Sequence, residues 1–119
     1  MRKINWKKIL AYSSWFVVFS LLIYTRFVNL GWGLPYPMHP DERNMVAAVQ
    51  QLHCEFSIRQ LTDCFNPHFF AYGQFPLYLG YLFILLGRLG GLGMFGEPIR
   101  FTEAVMALRI ISALSSIIT

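Results

Sequence analysis

Ile9-Leu10-Ala11-Tyr12-Ser13-Ser14-Trp15-Phe16-Val17-Val18-Phe19-Ser20-Leu21-Leu22-Ile23-Tyr24-Thr25 is a run of seventeen residues without a charge. A helix that crosses the hydrocarbon of a bilayer needs roughly 20 apolar residues, and about 17 is the lower limit. Arg26 interrupts the run and Phe27 to Leu30 extend it. A long arginine at the end of a span can snorkel to the interface. The competing reading is a cleaved signal peptide. The apolar core is long for one, and no small-x-small cleavage site follows. The expectation is therefore an uncleaved transmembrane helix over 9–29.

Outward on the amino-terminal side lie Arg2, Lys3, Lys7 and Lys8, four of the ten basic residues. Positive flanks stay on the cytoplasmic side. Residues 1–8 then form a cytoplasmic flank, and the chain after about residue 30 lies outside the cell membrane. The 119 residues are 55% hydrophobic and 17% aromatic, with a mean hydropathy of +0.46 and only 13% charged. A soluble domain carries about 25% charged residues, so part of this surface is expected to face lipid. The net charge of +4 invites a nucleic-acid reading. The basic residues form no stripe, however, so no nucleic-acid partner is expected. There is no internal repeat and no low-complexity tract.

Outward on the other side, Gly31 to Pro37 is a turn region rich in glycine, proline and aromatics. Pro40 then suits a first helical position, where its missing N–H is not needed. Asp41 and Glu42 follow where the helix macrodipole favours anions. Met45, Val46, Val49, Leu52 and Phe56 recur at helical spacing, which predicts an amphipathic helix near 40–58. It is too short and polar to span, so it lies on the membrane or packs against other helices. Residues 53–74 are polar and irregular. Cys54 and Cys64 are either bridged, as an outside location allows, or free thiols. His53, Cys54, Cys64 and His68 have no standard zinc spacing.

The apolar run Leu77 to Gly87 is eleven residues long, which suits an interfacial or re-entrant segment better than a span. The expectation is an interfacial helix near 75–95. After a polar break at Glu97 to Arg100, residues 101–119 read as the start of a second span that enters the membrane near Arg109. Fold class is therefore all-α membrane protein: one transmembrane helix, an outer loop (30–100) with two interfacial helices, and the start of a second transmembrane helix. The chain ends inside an apolar run, as an amino-terminal fragment of a longer protein would.

Adjacent helical residues point about 100° apart, so Asp41 and Glu42 do not face the same substrate atom. One carboxylate can face a cavity while the other fastens the helix end through backbone N–H groups or a nearby arginine. A general base or acceptor ligand is the functional reading. Simple stabilisation of a helix terminus is the structural one. His39 can exchange protons or bind a substrate hydroxyl, or merely be solvated. Arg109 can hold a lipid phosphate by paired hydrogen bonds, or snorkel. Tyr72, Tyr78 and Tyr81 are expected to anchor the interface.

The ordered set resembles the front end of the GT-C fold polyprenyl-phosphate-sugar glycosyltransferases, in particular protein O-mannosyltransferases and lipid A aminoarabinose transferases. The features are a basic flank and first span, Arg26-Phe27, Pro40-Asp41-Glu42, Asn66-Pro67, the aromatic-proline entry Tyr72 to Pro76 with Tyr78 and Tyr81, and Leu108-Arg109-Ile110-Ile111-Ser112-Ala113-Leu114. The resemblance implies two helices lying along the membrane in the first outer loop. It implies that Asp41 assists deprotonation of the acceptor, with Glu42 in support. It also implies an inverting transfer from a polyprenyl-phosphate-sugar donor to a lipid, glycan or protein acceptor in a multi-pass inner-membrane enzyme. His39, Arg109 and Gln74 are the candidate substrate-binding residues. Many aminoarabinose-transferase relatives carry glutamate where this chain has Gln74, and an amide supplies neither a charged metal ligand nor a base. No cofactor is implied firmly, and a divalent metal is left open. Two other classes are carried: a small non-catalytic membrane subunit or scaffold whose Asp-Glu pair contacts a partner, and a transporter fragment with Arg88 and Arg109 along its path.

Overall fold

The computed structural model describes residues 5–36, 38–52, 65–94 and 96–119. Among the described residues there are four helices and no strands: α1 (Trp6–Phe27), α2 (Pro40–Gln51), α3 (Phe75–Leu89) and α4 (Phe101–Ile118). Two of them, α1 and α4, are long and apolar enough to cross a membrane.

The Asn5 side chain caps α1 by accepting from the Lys8 N–H at 3.4 Å. The helix has 22 residues, about 33 Å at 1.5 Å per residue. None of its residues is buried. Three of its small polar residues return their hydroxyls to the helix: Ser13 to the Ile9 carbonyl at 2.8 Å, Ser14 to Leu10 at 2.9 Å and Thr25 to Leu22 at 3.0 Å. These three donors are thereby paired within the helix. The helix starts three residues before the expected span and stops at Phe27, where Asn29 at φ +60° turns the chain.

At the start of α2, His39 Nδ1 accepts from the Asp41 N–H at 3.3 Å and Pro40 occupies the first turn. Val46, Ala48, Val49 and Leu52 are buried. The helix expected near 40–58 ends at Gln51 with Leu52 as its cap, and Phe56 lies outside the described residues. The helix expected over 75–95 ends at Leu89, because Gly90 and Gly91, the latter at φ +91°, end the helical register.

Both short helices pack lengthwise on α4, antiparallel to it. Glu42 at the start of α2 meets Arg109, and Gln50 at its end donates to the Ile99 carbonyl at 2.8 Å. Along α3, Gly80 faces Leu108 and Arg88 reaches Glu103. A Cβ on Gly80 would lie 3.0 Å from Leu108 Cδ2, so a larger residue here would require Leu108 to shift. Ala104 and Ala107 of α4 are buried as well. The core is Val46, Val49, Leu52, Leu77, Ile84 and Val105. Burying each such side chain contributes about 1.5–3 kcal/mol before entropy. The three-helix head and projecting α1 give an elongated body of 71 × 32 × 26 Å.

Candidate functional site

The start of α2 separates its two carboxylates completely. Glu42 points to α4 and forms a two-pronged pair with Arg109: Nε to Oε1 at 2.5 Å and Nη2 to Oε2 at 2.8 Å. Both side chains are 19% exposed. Arg109 Nη1 donates further to the carbonyls of Leu30 and Trp32, the latter at 2.8 Å. One guanidinium thus joins the chain after α1, the start of α2 and the middle of α4. The edge that could fork onto a phosphate is engaged by Glu42.

Replacing Arg109 with Leu leaves the Glu42 carboxylate and two carbonyls without donors. The expected loss is roughly 2 kcal/mol, below the range for a fully buried pair because some water reaches both groups. Arg109→Lys restores the charge but not the fork, so it recovers less than half. Unfolding midpoints in detergent micelles measure both, and an unchanged midpoint for Arg109→Leu refutes the clamp.

Asp41 faces the other way. Its side chain is 52% exposed. Oδ1 accepts from the Tyr72 hydroxyl at 2.6 Å, a short charge-assisted bond. His39 Nδ1 lies 3.7 Å from Oδ2, beyond hydrogen-bond reach, and already accepts from the Asp41 backbone N–H. His39 therefore serves as the cap of α2. Among the described residues no donor lies within hydrogen-bond reach of Oδ2.

Tyr72 comes from the loop before α3. That loop is held by Tyr78, whose hydroxyl donates to the Phe65 carbonyl at 2.7 Å, and by an Asx turn from Asn66 Oδ1 to the His68 N–H at 3.1 Å. The Tyr72 ring tilts against Phe69 at 5.6 Å, and Phe69 packs on the core. The hydrogen bond to Asp41 holds the Tyr72 phenol above the ordinary tyrosine range, with its carboxylate charge adding to the effect. A folded pKa raised above the unfolded one means that the contact contributes fully below about pH 10. It is lost as pH rises through the raised value. Tyrosine Cζ resonances should show Tyr72 titrating after the other exposed tyrosines. Asp41→Asn should bring it back among them.

Gln74 is placed as the residue before α3, with Oε1 at 3.2 Å from the Tyr78 hydroxyl. It is not brought to Asp41. Beside the Glu42–Arg109 pair an open groove of about 560 Å³ runs between α2, α3 and α4. Met45, Phe75, Leu79, Leu108 and Ile111 give it an apolar wall, with Ser112 and Ser115 at its polar margin. Glu42 lines it and Asp41 does not. Among the described residues no group of three or more His, Cys, Asp or Glu comes together as a metal-ligand set. The Cys54–Cys64 pairing and the ligands His53, Cys54 and Cys64 of the zinc reading lie outside the described residues.

Reading the residues in order did not anticipate the Tyr72–Asp41 bond or the role of Arg88. Arg88 lies 6% exposed at the side chain, with Nε and Nη2 on the Glu103 carboxylate at 2.9 and 2.8 Å and Nη1 on the Met94 and Glu97 carbonyls at 3.2 and 2.7 Å. The available signal was a lone charge in an apolar helix, which demands a partner. Comparison with known proteins gives no match: no family model, curated relative or solved structure aligns with this chain.

Proposed function

We propose that this chain forms the front segment of an integral membrane glycosyltransferase. It moves a sugar from a polyprenyl-phosphate donor to an acceptor on the extracytoplasmic side, with the amino terminus in the cytoplasm. Asp41 is the general base. Its Oδ2 takes the proton from the acceptor hydroxyl. The acceptor oxygen then bonds to the anomeric carbon as the bond from that carbon to the phosphate oxygen breaks. Polyprenyl phosphate leaves with the bonding pair.

The observation that carries this reading is the division between neighbouring carboxylates. Glu42 is neutralised by Arg109 with both oxygens engaged. Asp41 is half exposed, fixed on one oxygen and, among the described residues, without a donor on the other. Two carboxyl groups with contrasting surroundings are the pattern that separates a structural role from a proton-transfer role. An aspartate serving only the helix dipole needs neither a tyrosine tether nor an open oxygen. The apolar groove along α2–α4 gives a lipid-borne donor a surface at the start of α2, lined by Glu42, the residue next to Asp41.

The test is sugar transfer by membranes that contain the full-length protein, supplied with a panel of radiolabelled polyprenyl-phosphate hexoses and pentoses. Wild type and Asp41→Asn are compared at equal membrane insertion. Transfer that depends on Asp41 supports the reading, and transfer unaffected by Asp41→Asn removes it. Absence of transfer, with co-purification of a partner membrane protein that Asp41→Asn abolishes, would favour the subunit reading.

A further inference from the structure

We propose that Tyr72 is a positioning residue for Asp41, its phenol holding Oδ1 so that Oδ2 alone is presented to the acceptor. The inference rests on the reading of Asp41 as the base and adds the residue that orients it.

A half-exposed aspartate at a helix start turns freely about its side-chain bonds, and immobilising it on binding costs free energy. Here that ordering precedes binding. The 2.6 Å bond from Tyr72 fixes one oxygen. The His39 ring, which takes the Asp41 N–H, fixes the main chain at the same residue. Among the described residues no donor in hydrogen-bond reach claims Oδ2, since His39 Nδ1 at 3.7 Å is an acceptor in this arrangement. The tether connects residues 31 apart in sequence, so it is no by-product of local geometry.

Tyr72 is itself held from the core. Its ring leans on Phe69, which packs against the buried cluster, and the bond from Tyr78 to the Phe65 carbonyl secures the loop. The order of support runs from core to Phe69, to Tyr72 and to Asp41 Oδ1. The phenol also keeps its proton, because the carboxylate beside it pushes its pKa up. Tyr72 is therefore a permanent donor throughout the range in which Asp41 works, and does not compete with it as a base. In the proton transfer the new O–H bond forms on Oδ2, while Oδ1 retains the Tyr72 bond that stabilises the anion beforehand. A carboxylate that keeps one donor through the reaction is preorganised for it.

The test has two arms on the full-length protein. In nanodiscs, three-bond couplings to Asp41 Cγ report its χ1 distribution without any substrate. Wild type should give a single rotamer, and Tyr72→Phe should give averaged couplings while the core methyl spectrum stays unchanged. Unaveraged couplings in Tyr72→Phe overturn the proposal whatever the activity is. In the transfer assay, Tyr72→Phe should lower kcat about tenfold with donor KM unchanged. The double variant with Asp41→Asn should be no slower than Asp41→Asn alone, because the two groups act as one unit. Additive losses, or a wild-type kcat, also overturn it. If Asp41→Asn leaves transfer intact while the couplings behave as expected, the base assignment fails and the tether stands.

Discussion

Under the proposed function, Asp41→Asn is expected to lower sugar transfer about 10²–10⁴-fold, the usual contribution of a positioned general base. The substitution changes few atoms. Asparagine keeps a carbonyl oxygen to accept from Tyr72, and the His39 bond to the backbone N–H is untouched, so the helix start stays in place. What disappears is Oδ2, the oxygen proposed to take the proton. Glu42 does not replace it. Both of its oxygens are on Arg109, and its Cβ leaves the helix about 100° away. Freeing Glu42 by Arg109→Leu therefore gives no recovery in the Asp41→Asn background. Asp41→Glu keeps the base but moves it by a methylene away from the Tyr72 tether, so partial activity between the two is expected. Initial rates at saturating donor, normalised to inserted protein, measure the series. A rate for Asp41→Asn within about threefold of wild type places the base elsewhere.

The sequence order carried some of this arrangement and not the rest, for physical reasons visible at particular residues. α1 was legible because seventeen consecutive uncharged residues have few other uses. The start of α2 was legible from Pro40 with Asp41 and Glu42, since first-turn chemistry is local. The separation of the two carboxylates also followed from 3.6 residues per turn. Which of them would meet an arginine did not, because Arg109 lies 67 positions from Glu42 and such pairing leaves no local periodicity. Tyr72 has the same difficulty. An aromatic in a proline-rich entry fits a membrane interface as well as a tether, and only the folded loop distinguishes them. The helix near 75–95 was expected too long because apolarity continues through Leu89 and Leu92. Four glycines, at 90, 91, 93 and 96, outweigh that apolarity.

Arg88 shows what such a miss conceals, and Arg88→Met is expected to destabilise the head by about 3 kcal/mol. The guanidinium is buried at the α3–α4 turn, with Glu103 on one edge and the carbonyls of Met94 and Glu97 on another; the Pro98 carbonyl lies 3.4 Å from Nη2. Glu103 holds it protonated above the ordinary arginine range, against the opposing effect of burial. Methionine matches the length of the stem and fills most of the space, so the lost packing is small. The cost comes from the partners that remain: a carboxylate 24% exposed at its side chain and carbonyls that lose their donor. It follows that Arg88→Met, Glu103→Leu together is far milder than Arg88→Met alone, because the stranded charge is gone. The loop carbonyls keep the double variant below wild type. Equilibrium unfolding in micelles gives the cycle, and protease cutting between Gly90 and Gly96 should rise in both variants as the loop loses its anchor. Equal stability of the single and double variants would show that the stranded carboxylate is not the source of the loss. The turn would then owe its shape to its glycines rather than to the arginine.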